Sequence, residues 1–464
     1  MPGTTDHYRS RSLWLDTLVD DPLTPRSSLG GDLGVDVAIV GAGFTGLWTA
    51  YYLKRADPGL RIAIVESEIA GFGASGRNGG WCSALLPMSW DAIAHTHGRQ
   101  AAIDLQLAMN DTVSEVGRVA LAEGIDCDFA HGGYLHAARN PAHLARLHDD
   151  VEHFRSWGFD HNHLRFLDGD EAATRVAMAG IVGANHTPHC AAIHPAKLVR
   201  ALARVVESLG VSIFEHTRAL EIDPGRIVTE GGTVRATNVV RATEGYTARL
   251  PGQRRTVVPI YSLMVATEPL ADSVWEQIGL TGRETFNDAR RLIIYGQRTA
   301  DNRLAFGGRG APYHFGSRIE TRYDRDPKVH ESLRVTLRQL FPAIGDARFT
   351  HAWGGPLGAP RDWRCSVGLD RVTGMAWAGG YVGDGVGTTN LAGRTIADLI
   401  RGEPTDITRL AWVGHHSPAW EPEPVRWLAI NAILRLPKGA DAHEERTGRP
   451  EKARSWLLAK ALGK

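Results

Sequence analysis

The chain has 464 residues, 43% of them hydrophobic and 22% charged, and its 52 basic residues are balanced by 52 acidic ones. A zero net charge argues against nucleic acid or an anionic membrane as the main partner. The length exceeds one ordinary core, so two domains are expected, and no apolar run approaches the roughly 20 residues that span a bilayer.

The N-terminal segment and the cysteines predict the compartment. Residues 1–21 contain no apolar signal core, and the four cysteines, at positions 82, 127, 190 and 365, show no CxxC spacing. They are therefore expected to be reduced thiols in a cytoplasmic protein.

The first predicted elements are a strand, a glycine turn, a helix and a second strand. Residues 35–40 form an apolar run, and the glycines that follow it have the spacing GxGxxG: Gly41, Gly43 and Gly46. A second apolar strand follows and ends in Glu66. In this context the glycines permit a tight turn, close approach of a pyrophosphate and close helix packing, while the acid accepts bonds from ribose hydroxyls. The pattern predicts a dinucleotide site.

A second glycine-rich stretch, residues 71–81, also contains GxGxxG. It continues as Arg77-Asn78-Gly79-Gly80, which cannot begin a regular helix, so its context does not match a second nucleotide site. We predict a long loop here. Arg77 and Asn78 either contact the cofactor or close the loop with polar side chains.

The rest of the chain alternates between helices and strands. Helices are predicted for 99–123, 141–157, 195–209 and 327–341, and short strands for 211–214, 226–229, 239–243 and 375–378. Residues 254–310 have the alternation of an antiparallel sheet, and residues 353–360 are interpreted as a Gly/Pro-rich crossover. A glycine segment, 379–387, leads into a helix ending near Arg401, and the tail from 413 has a basic helical end.

Three features favour FAD over NAD. The glycine-rich loop after the second strand suits a buried isoalloxazine that must be wrapped by backbone. The late Gly-Asp-Gly-Val-Gly segment opens a helix whose N-terminus could stabilise negative charge on reduced flavin. The predicted order of elements is also discontinuous, because a segment of antiparallel sheet separates two regions in which a glycine turn leads into a helix.

These motifs resemble the FAD-dependent oxidoreductases of the D-amino-acid oxidase superfamily, and most closely the γ-glutamylputrescine oxidase-like amine oxidases. The resemblance covers nearly the whole chain, with Gly-Ala-Ser-Gly-Arg-Asn-Gly-Gly as its most specific part. The segments that carry it are 38–47, 71–80, 193–198, 239–246, 303–309 and 379–393.

The resemblance implies an α/β fold (α+β overall), with a Rossmann-like FAD domain and a discontinuous antiparallel-sheet substrate domain. The FAD domain is expected in three parts, the substrate domain in two, and a C-terminal tail after them. The FAD-domain parts are 1–92, 161–250 and 354–412, the substrate-domain parts are 93–160 and 251–353, and the tail is 413–464.

Two departures from sarcosine-oxidase-like relatives bear on the chemistry. Some relatives bind FAD covalently through a cysteine before the late glycine segment. Here Gly354–Gly358 occupies that place and Cys365 is too far along, so non-covalent FAD is expected. Relatives also place a lysine over the flavin, but the matching strand 304–306 has none. The reduced flavin is therefore expected to pass its electrons either to oxygen, as in an oxidase, or to another acceptor, as in a dehydrogenase.

The glycine motifs and the resemblance together predict the residues that bind FAD. They are Gly41, Gly43, Phe44, Thr45, Gly46, Glu66, Ser67, Gly73, Ala74, Ser75, Gly76, Arg77, Asn78, Gly79, Gly80, Ala219, Ala242, Thr243, Gly383, Gly385, Val386, Gly387 and Thr388.

The candidate catalytic residues are Tyr261, Tyr295, Trp353 and Arg309 in the predicted substrate half, together with His194 in the FAD-domain part. The aromatic side chains either surround an amine through cation–π contacts or pack in the core. Arg309 is either a bidentate clamp for a carboxylate or phosphonate, or a structural ion pair. His194, before Pro195, lines the active site or caps a helix. The nearby His186, His189 and Cys190 suggest a metal only weakly, and no metal is expected.

The predicted function is FAD-dependent oxidation of the C–N bond of an amine to an imine, which water then hydrolyses. One alternative is an α-amino-acid or aminophosphonate oxidase or dehydrogenase, and another is a flavin-binding protein without turnover. The expected partners are a small-molecule substrate and an electron acceptor. The sequence identifies neither the amine nor the oligomeric state.

Overall fold

A computed structural model describes residues 4–454 and 456. Its helices are α1 Thr4–Arg9, α2 Leu13–Asp16, α3 Phe44–Ala56, α4 Trp90–His97, α5 Arg99–Ala122, α6 Pro141–Ser156, α7 Gly169–Arg175, α8 Pro195–Ser208, α9 Asp272–Ile278, α10 Pro327–Leu340, α11 Gly385–Arg401, α12 Val425–Ile433 and α13 Leu436–Thr447. Its strands are β1 Leu33–Val40, β2 Ile62–Val65, β3 Trp81–Ser83, β4 Tyr134–Ala138, β5 Arg165–Asp168, β6 Gly183–Thr187, β7 Cys190–Ala192, β8 Ser212–Phe214, β9 Ala219–Asp223, β10 Arg226–Thr229, β11 Gly232–Arg241, β12 Val258–Thr267, β13 Thr285–Asp288, β14 Ile294–Arg298, β15 Leu304–Gly308, β16 Phe349–Ala359, β17 Ser366–Asp370 and β18 Met375–Gly379.

The first sheet contains the predicted dinucleotide unit. Its strand order is β17-β18-β11-β1-β2-β8, and in addition β10 pairs with β11 and β9 pairs with β10. The pairs from β18 through β8 are parallel. Parallel strands are covered on both faces, which explains the continuous apolar runs of β1 and β2. Val37 and Ile39 pack in one core with α3, α5, α8 and α11, while Ala38 and Val40 pack in another on the opposite face.

The second sheet confirms the antiparallel middle of the chain. Its order is β16-β12-β15-β14-β13-β4-β6-β5, and α10 packs against it through Leu333 and Leu337. The pairing of β13 with β4 is parallel, and the other pairs in this sheet are antiparallel. The mixed α/β fold class is therefore as predicted.

The division of the chain between the two sheets differs from the predicted domain boundaries. Helix α5 lies within the predicted substrate part 93–160, yet Leu105 and Val113 pack in the core of the first sheet. Strands β5 and β6 lie within the predicted FAD-domain part 161–250, yet both belong to the second sheet. Helical periodicity indicates an apolar face but not which sheet that face covers, so the assignment depends on tertiary contacts.

The prediction of a crossover at 353–360 was wrong, because β16 runs as a regular strand through Gly354, Gly355, Pro356 and Gly358. It pairs with β12 along the whole length of that strand. Proline is tolerated because β16 is the edge strand, where one side of the backbone has no ladder partner. A Cβ on Gly354 would overlap the side chain of Leu263, so the glycine permits close contact between the strands.

Candidate active site

A long cavity, here called the nucleotide cavity, lies where β1, β2 and β11 end and α3 and α11 begin. This is the carboxyl edge of the parallel strands, the usual ligand position in such sheets. It brings together most of the predicted FAD residues: Gly41, Gly43, Phe44, Thr45, Glu66, Ser67, Gly73, Ala74, Ser75, Asn78, Ala219, Ala242, Thr243, Gly383, Gly385 and Val386.

The glycine turn between β1 and α3 has the geometry that the spacing predicted. Gly41 has a φ of +108°, a left-handed conformation that disfavours other residues. A Cβ on Gly46 would overlap the carbonyl oxygen of Gly41, so only glycine allows the helix to pack this closely. The first N–H groups of α3 consequently lie beside the cavity, where they suit a pyrophosphate.

Glu66 lies at the end of β2 and lines the same cavity. Its carboxylate accepts the backbone N–H groups of Ala42 at 2.9 Å and Glu68 at 3.0 Å. Burial raises the pKa of Glu66 above its ordinary value, and these two hydrogen bonds oppose the rise. The carboxylate therefore both orders the glycine turn and presents acceptor oxygens to the cavity.

The loop 71–81 is held by its own polar side chains. Ser75 Oγ accepts the N–H of Phe44 at 2.9 Å, which joins the loop to the start of α3. The Asn78 amide donates to the carbonyls of Ala74 and Ser75 and accepts the N–H of Gly80 at 2.7 Å. Asn78 therefore lines the cavity and closes the loop as well, which were the two alternatives for this residue.

Arg77 joins the loop to the second sheet. Its buried guanidinium forms an ion pair with Asp324 at 3.0 Å and donates to the carbonyl of Gly354 and the hydroxyl of Tyr246. It also lies over the ring of Phe72, 5.0 Å from the centroid. Arg77 therefore holds the loop 71–81, called the cofactor loop from here on, against β16.

Seven predicted FAD residues do not line the nucleotide cavity: Gly46, Gly76, Arg77, Gly79, Gly80, Gly387 and Thr388. The glycines among them make close packing contacts; a Cβ on Gly387, for example, would crowd the carbonyl oxygen of Ser83. Thr388 is buried and donates to the carbonyl of Asp384. These packing contacts and this hydrogen bond help to fix the backbone around the cavity.

A second cavity, here called the reaction cavity, adjoins the first. Both are lined by Ala74, Asn78, Leu357, Gly383 and Val386. The reaction cavity extends from there between the cofactor loop and the second sheet. Two further predicted FAD residues, Arg77 and Gly79, line this second cavity. Its other lining residues are Trp81, Ser83, Leu85, Ser262, Asn287, Ile293, Ile294, Tyr295, Arg309, Gly355, Val382 and Asp384.

Tyr295 and Arg309 are the predicted catalytic residues that line this cavity. The Tyr295 hydroxyl lies 2.8 Å from Ser262 Oγ, and burial raises the pKa of the phenol. Arg309 Nη2 donates to the carbonyl of Val382 at 2.7 Å. Burial lowers the pKa of Arg309, an effect that the nearby charge of Asp384 opposes. A cation and an aromatic ring are thereby placed in one cavity.

The other three predicted catalytic side chains have packing contacts elsewhere. Tyr261 points to the opposite face of β12 from Ser262, and its ring packs on His314 and Tyr323. Trp353 is buried behind the loop and donates its Nε1–H to the carbonyl of Arg77 at 2.9 Å.

His194 occupies the N-cap of α8, where Nδ1 accepts the N–H of Lys197 at 3.1 Å. Burial lowers the pKa of His194 to about 4, so the imidazole is neutral near pH 7. Within residues 4–454 and at 456, no group of three or more His, Cys, Asp or Glu side chains is arranged to hold a metal.

Several lining residues were absent from the sequence-based candidates. Glu68, Thr217, Tyr246 and Tyr381 line the nucleotide cavity, and Trp81, Ser262, Asn287 and Asp384 line the reaction cavity. Trp81 ends the predicted loop and Asp384 lies within the late glycine segment, so both had a local signal. Ser262 and Asn287 had none, since a strand pattern does not identify the face that borders a cavity.

All four cysteines are buried with free thiols, and none lines either cavity. Burial raises the pKa of the Cys365 thiol, which disfavours the nucleophilic thiolate. Among the helices that the structure describes, none is long and apolar enough to cross a bilayer.

The residues present fit FAD: a glycine cradle that a Cβ would fill, a carboxylate at the end of β2 and two helix N-termini beside one cavity. A family model described as "FAD dependent oxidoreductase" matches residues 36–399. The chain is 32% identical over 407 residues to the probable oxidoreductase OrdL of Rhizobium meliloti (strain 1021), covering 85% of this chain and 89% of that protein.

Two further comparisons agree with that match. The chain is 30% identical over 399 residues to the gamma-glutamylputrescine oxidoreductase of Escherichia coli (strain K12), covering 84% of this chain and 89% of that protein. The solved glycine oxidase of Geobacillus kaustophilus superposes with a TM-score of 0.69 at 22% identity, covering 82% of this chain and 99% of that one. At 22% identity this comparison shows a shared fold and nothing further.

Proposed function

The chain belongs to the family of FAD-dependent oxidoreductases, and from this premise we propose that it oxidises the C–N bond of an amine to an imine. The observation that carries the proposal is that the two cavities share Gly383 and Val386 as lining residues, beside the start of α11. The name of the gamma-glutamylputrescine oxidoreductase supports an amine as the substrate class.

FAD, when bound, supplies the acceptor for the hydride that leaves the carbon next to nitrogen. The residues of the chain position the substrate and set the charge around it. The N-terminus of α11 contributes a partial positive charge at the wall shared by the two cavities. Apolar side chains of Trp81, Ile294 and Leu357 limit water in the reaction cavity. Water then hydrolyses the released imine: its oxygen becomes the carbonyl of an aldehyde or ketone, and the nitrogen leaves as ammonia or an amine.

A second candidate function follows from Arg309. A guanidinium in the reaction cavity suits the carboxylate of an α-amino acid or an aminophosphonate group. Glycine oxidase names among the relatives agree with this alternative. The four free cysteines support a cytoplasmic location.

Anaerobic titration tests the proposed function. Amines are expected to bleach the flavin absorbance of the purified holoprotein. NADH and NADPH are expected to leave it unchanged, because FAD already occupies the nucleotide cavity. A panel of amines and amino acids separates the two candidate substrate classes. Reduction by NADPH without reduction by any amine or amino acid would contradict both.

Non-covalent attachment of FAD makes a separate prediction. Acid precipitation is expected to release all the flavin into the supernatant, because no cysteine lines either cavity. The measurement is flavin absorbance in the supernatant and the pellet. Yellow colour that stays with the precipitated protein would show a covalent bond.

A further inference from the structure

A third cavity, here called the arginine cavity, lies beside the nucleotide cavity. Arg241 is the last residue of β11 and lines the arginine cavity, whereas the next residue, Ala242, lines the nucleotide cavity. Glu244 lines both. The residues on which the inference rests are Arg241, Glu244, Arg255, Arg364, Trp377 and His416.

The arginine cavity has more cations than anions. Arg241 Nη1 donates to the amide oxygen of Gln253 at 2.6 Å, and in the described part of the chain no carboxylate forms an ion pair with Arg241. Burial lowers the pKa of Arg241 with no acidic neighbour to oppose it. Arg364 donates to Thr96, and Arg255 donates to the carbonyl of Trp420.

Glu244 is the carboxyl group among the lining residues. Its Oε1 accepts the N–H of Tyr381 at 3.1 Å, and burial raises the pKa of Glu244 to about 7. Among the lining residues this one carboxyl group faces three guanidinium groups, of which Arg255 also interacts with Glu421 outside the lining. A partly buried cation without an opposite charge is unfavourable, and an anion from solution relieves that cost.

The walls of the arginine cavity are held by hydrogen bonds. Trp420 N–H donates to the carbonyl of Arg255 at 2.8 Å, and its Nε1–H donates to the carbonyl of Ala359 at 2.8 Å. The Trp377 ring, another lining residue, packs on His416 with centroids 4.6 Å apart. His415 Nε2 lies 2.7 Å from Asp362 Oδ2, so this imidazole already has a polar partner. These contacts fix the backbone of Arg255 and the aromatic side of the cavity.

We propose that the arginine cavity binds a doubly charged oxyanion of the phosphate type, at a site distinct from the FAD and substrate sites. Guanidinium groups match phosphate because they donate parallel hydrogen bonds to two of its oxygens. The phosphate is either free or carried by a phosphomonoester, and both present the same oxygens.

Isothermal titration of the holoprotein with inorganic phosphate, against chloride at equal ionic strength, tests the proposal. We expect saturable binding with one phosphate per chain. Arg241→Gln is expected to weaken this binding at least tenfold, and Arg255→Gln, at an exposed position, provides a second variant that does not disturb β11. Arg409→Gln, whose side chain is 69% exposed, is the matched control and is expected to bind phosphate normally.

Two further arms locate the anion and its source. Arg309→Gln is expected to bind phosphate normally, which separates the arginine cavity from the reaction cavity. Tighter binding of adenosine monophosphate than of phosphate would identify a phosphomonoester as the ligand, and equal or weaker binding would identify free phosphate. Equal phosphate affinity in the wild type, Arg241→Gln and Arg255→Gln would overturn the proposal, as would an effect that chloride reproduces.

Discussion

Glu66→Arg is expected to yield a protein that purifies with little or no FAD. Ribose hydroxyls that donate to a carboxylate contribute about 1.5–3 kcal/mol each, and the variant also loses the acceptor that orders the N–H of Ala42. The longer cationic side chain would in addition enter the nucleotide cavity. The measurement is the flavin-to-protein ratio, followed by the dissociation constant for FAD added to the apoprotein.

Two controls separate loss of the ribose contact from loss of the fold. Glu152→Arg makes the same charge reversal on α6, where the side chain is 72% exposed, and is expected to retain FAD. Glu66→Gln keeps acceptor oxygen without the charge and is expected to have intermediate affinity. Circular dichroism shows whether the variants are folded. Full FAD content in a folded Glu66→Arg protein would remove Glu66 from the FAD site.

Arg309→Ala is expected to separate the two candidate substrate classes. For a substrate with a carboxylate or phosphonate, loss of a desolvated charge pair costs about 2–5 kcal/mol, or roughly 30- to 4,000-fold in the rate of flavin reduction per substrate concentration. For an amine without an acidic group, the same variant is expected to change this rate little. The measurement is stopped-flow reduction under anaerobic conditions with both substrate classes.

The control for Arg309→Ala is Arg298→Ala on the neighbouring strand β14, whose guanidinium contacts Trp275 outside the reaction cavity. It is expected to leave flavin reduction unchanged. Tyr295→Ala removes an aromatic wall and is expected to slow the reduction of simple amines more than Arg309→Ala does. If Arg309→Ala slows acidic and non-acidic substrates equally, Arg309 has no role in recognising an acidic group.

Fixed contacts explain how the site combines two sheets that could otherwise move apart. Arg77 pairs with Asp324 and donates to Gly354, while Gln297 Nε2 donates to the carbonyls of Gly79 and Gly80 at 2.7 and 3.0 Å. Both side chains join the cofactor loop to the second sheet. The cofactor loop, which borders both the nucleotide cavity and the reaction cavity, is consequently fixed to the second sheet by two buried side chains.

The sequence alone was sufficient for features that depend on short-range spacing. The turn at Gly41, the close packing at Gly46 and the carboxylate at Glu66 all lie within one βαβ unit, where steric limits determine which residues are allowed. The helices at 141–157, 195–209 and 327–341 were likewise predicted to within two residues, because their apolar periodicity and proline starts are local signals.

Only the tertiary structure decided which side chains reach the reaction cavity. Tyr261 and Ser262 are adjacent on β12, and strand alternation sends one to the core and the other to the cavity without indicating which is which. Trp353 supports the cofactor loop because it donates a hydrogen bond to Arg77, which is distant in the chain. Likewise, β16 is a regular edge strand because it pairs with the distant strand β12. Such contacts depend on how the two sheets pack, which local sequence patterns do not encode.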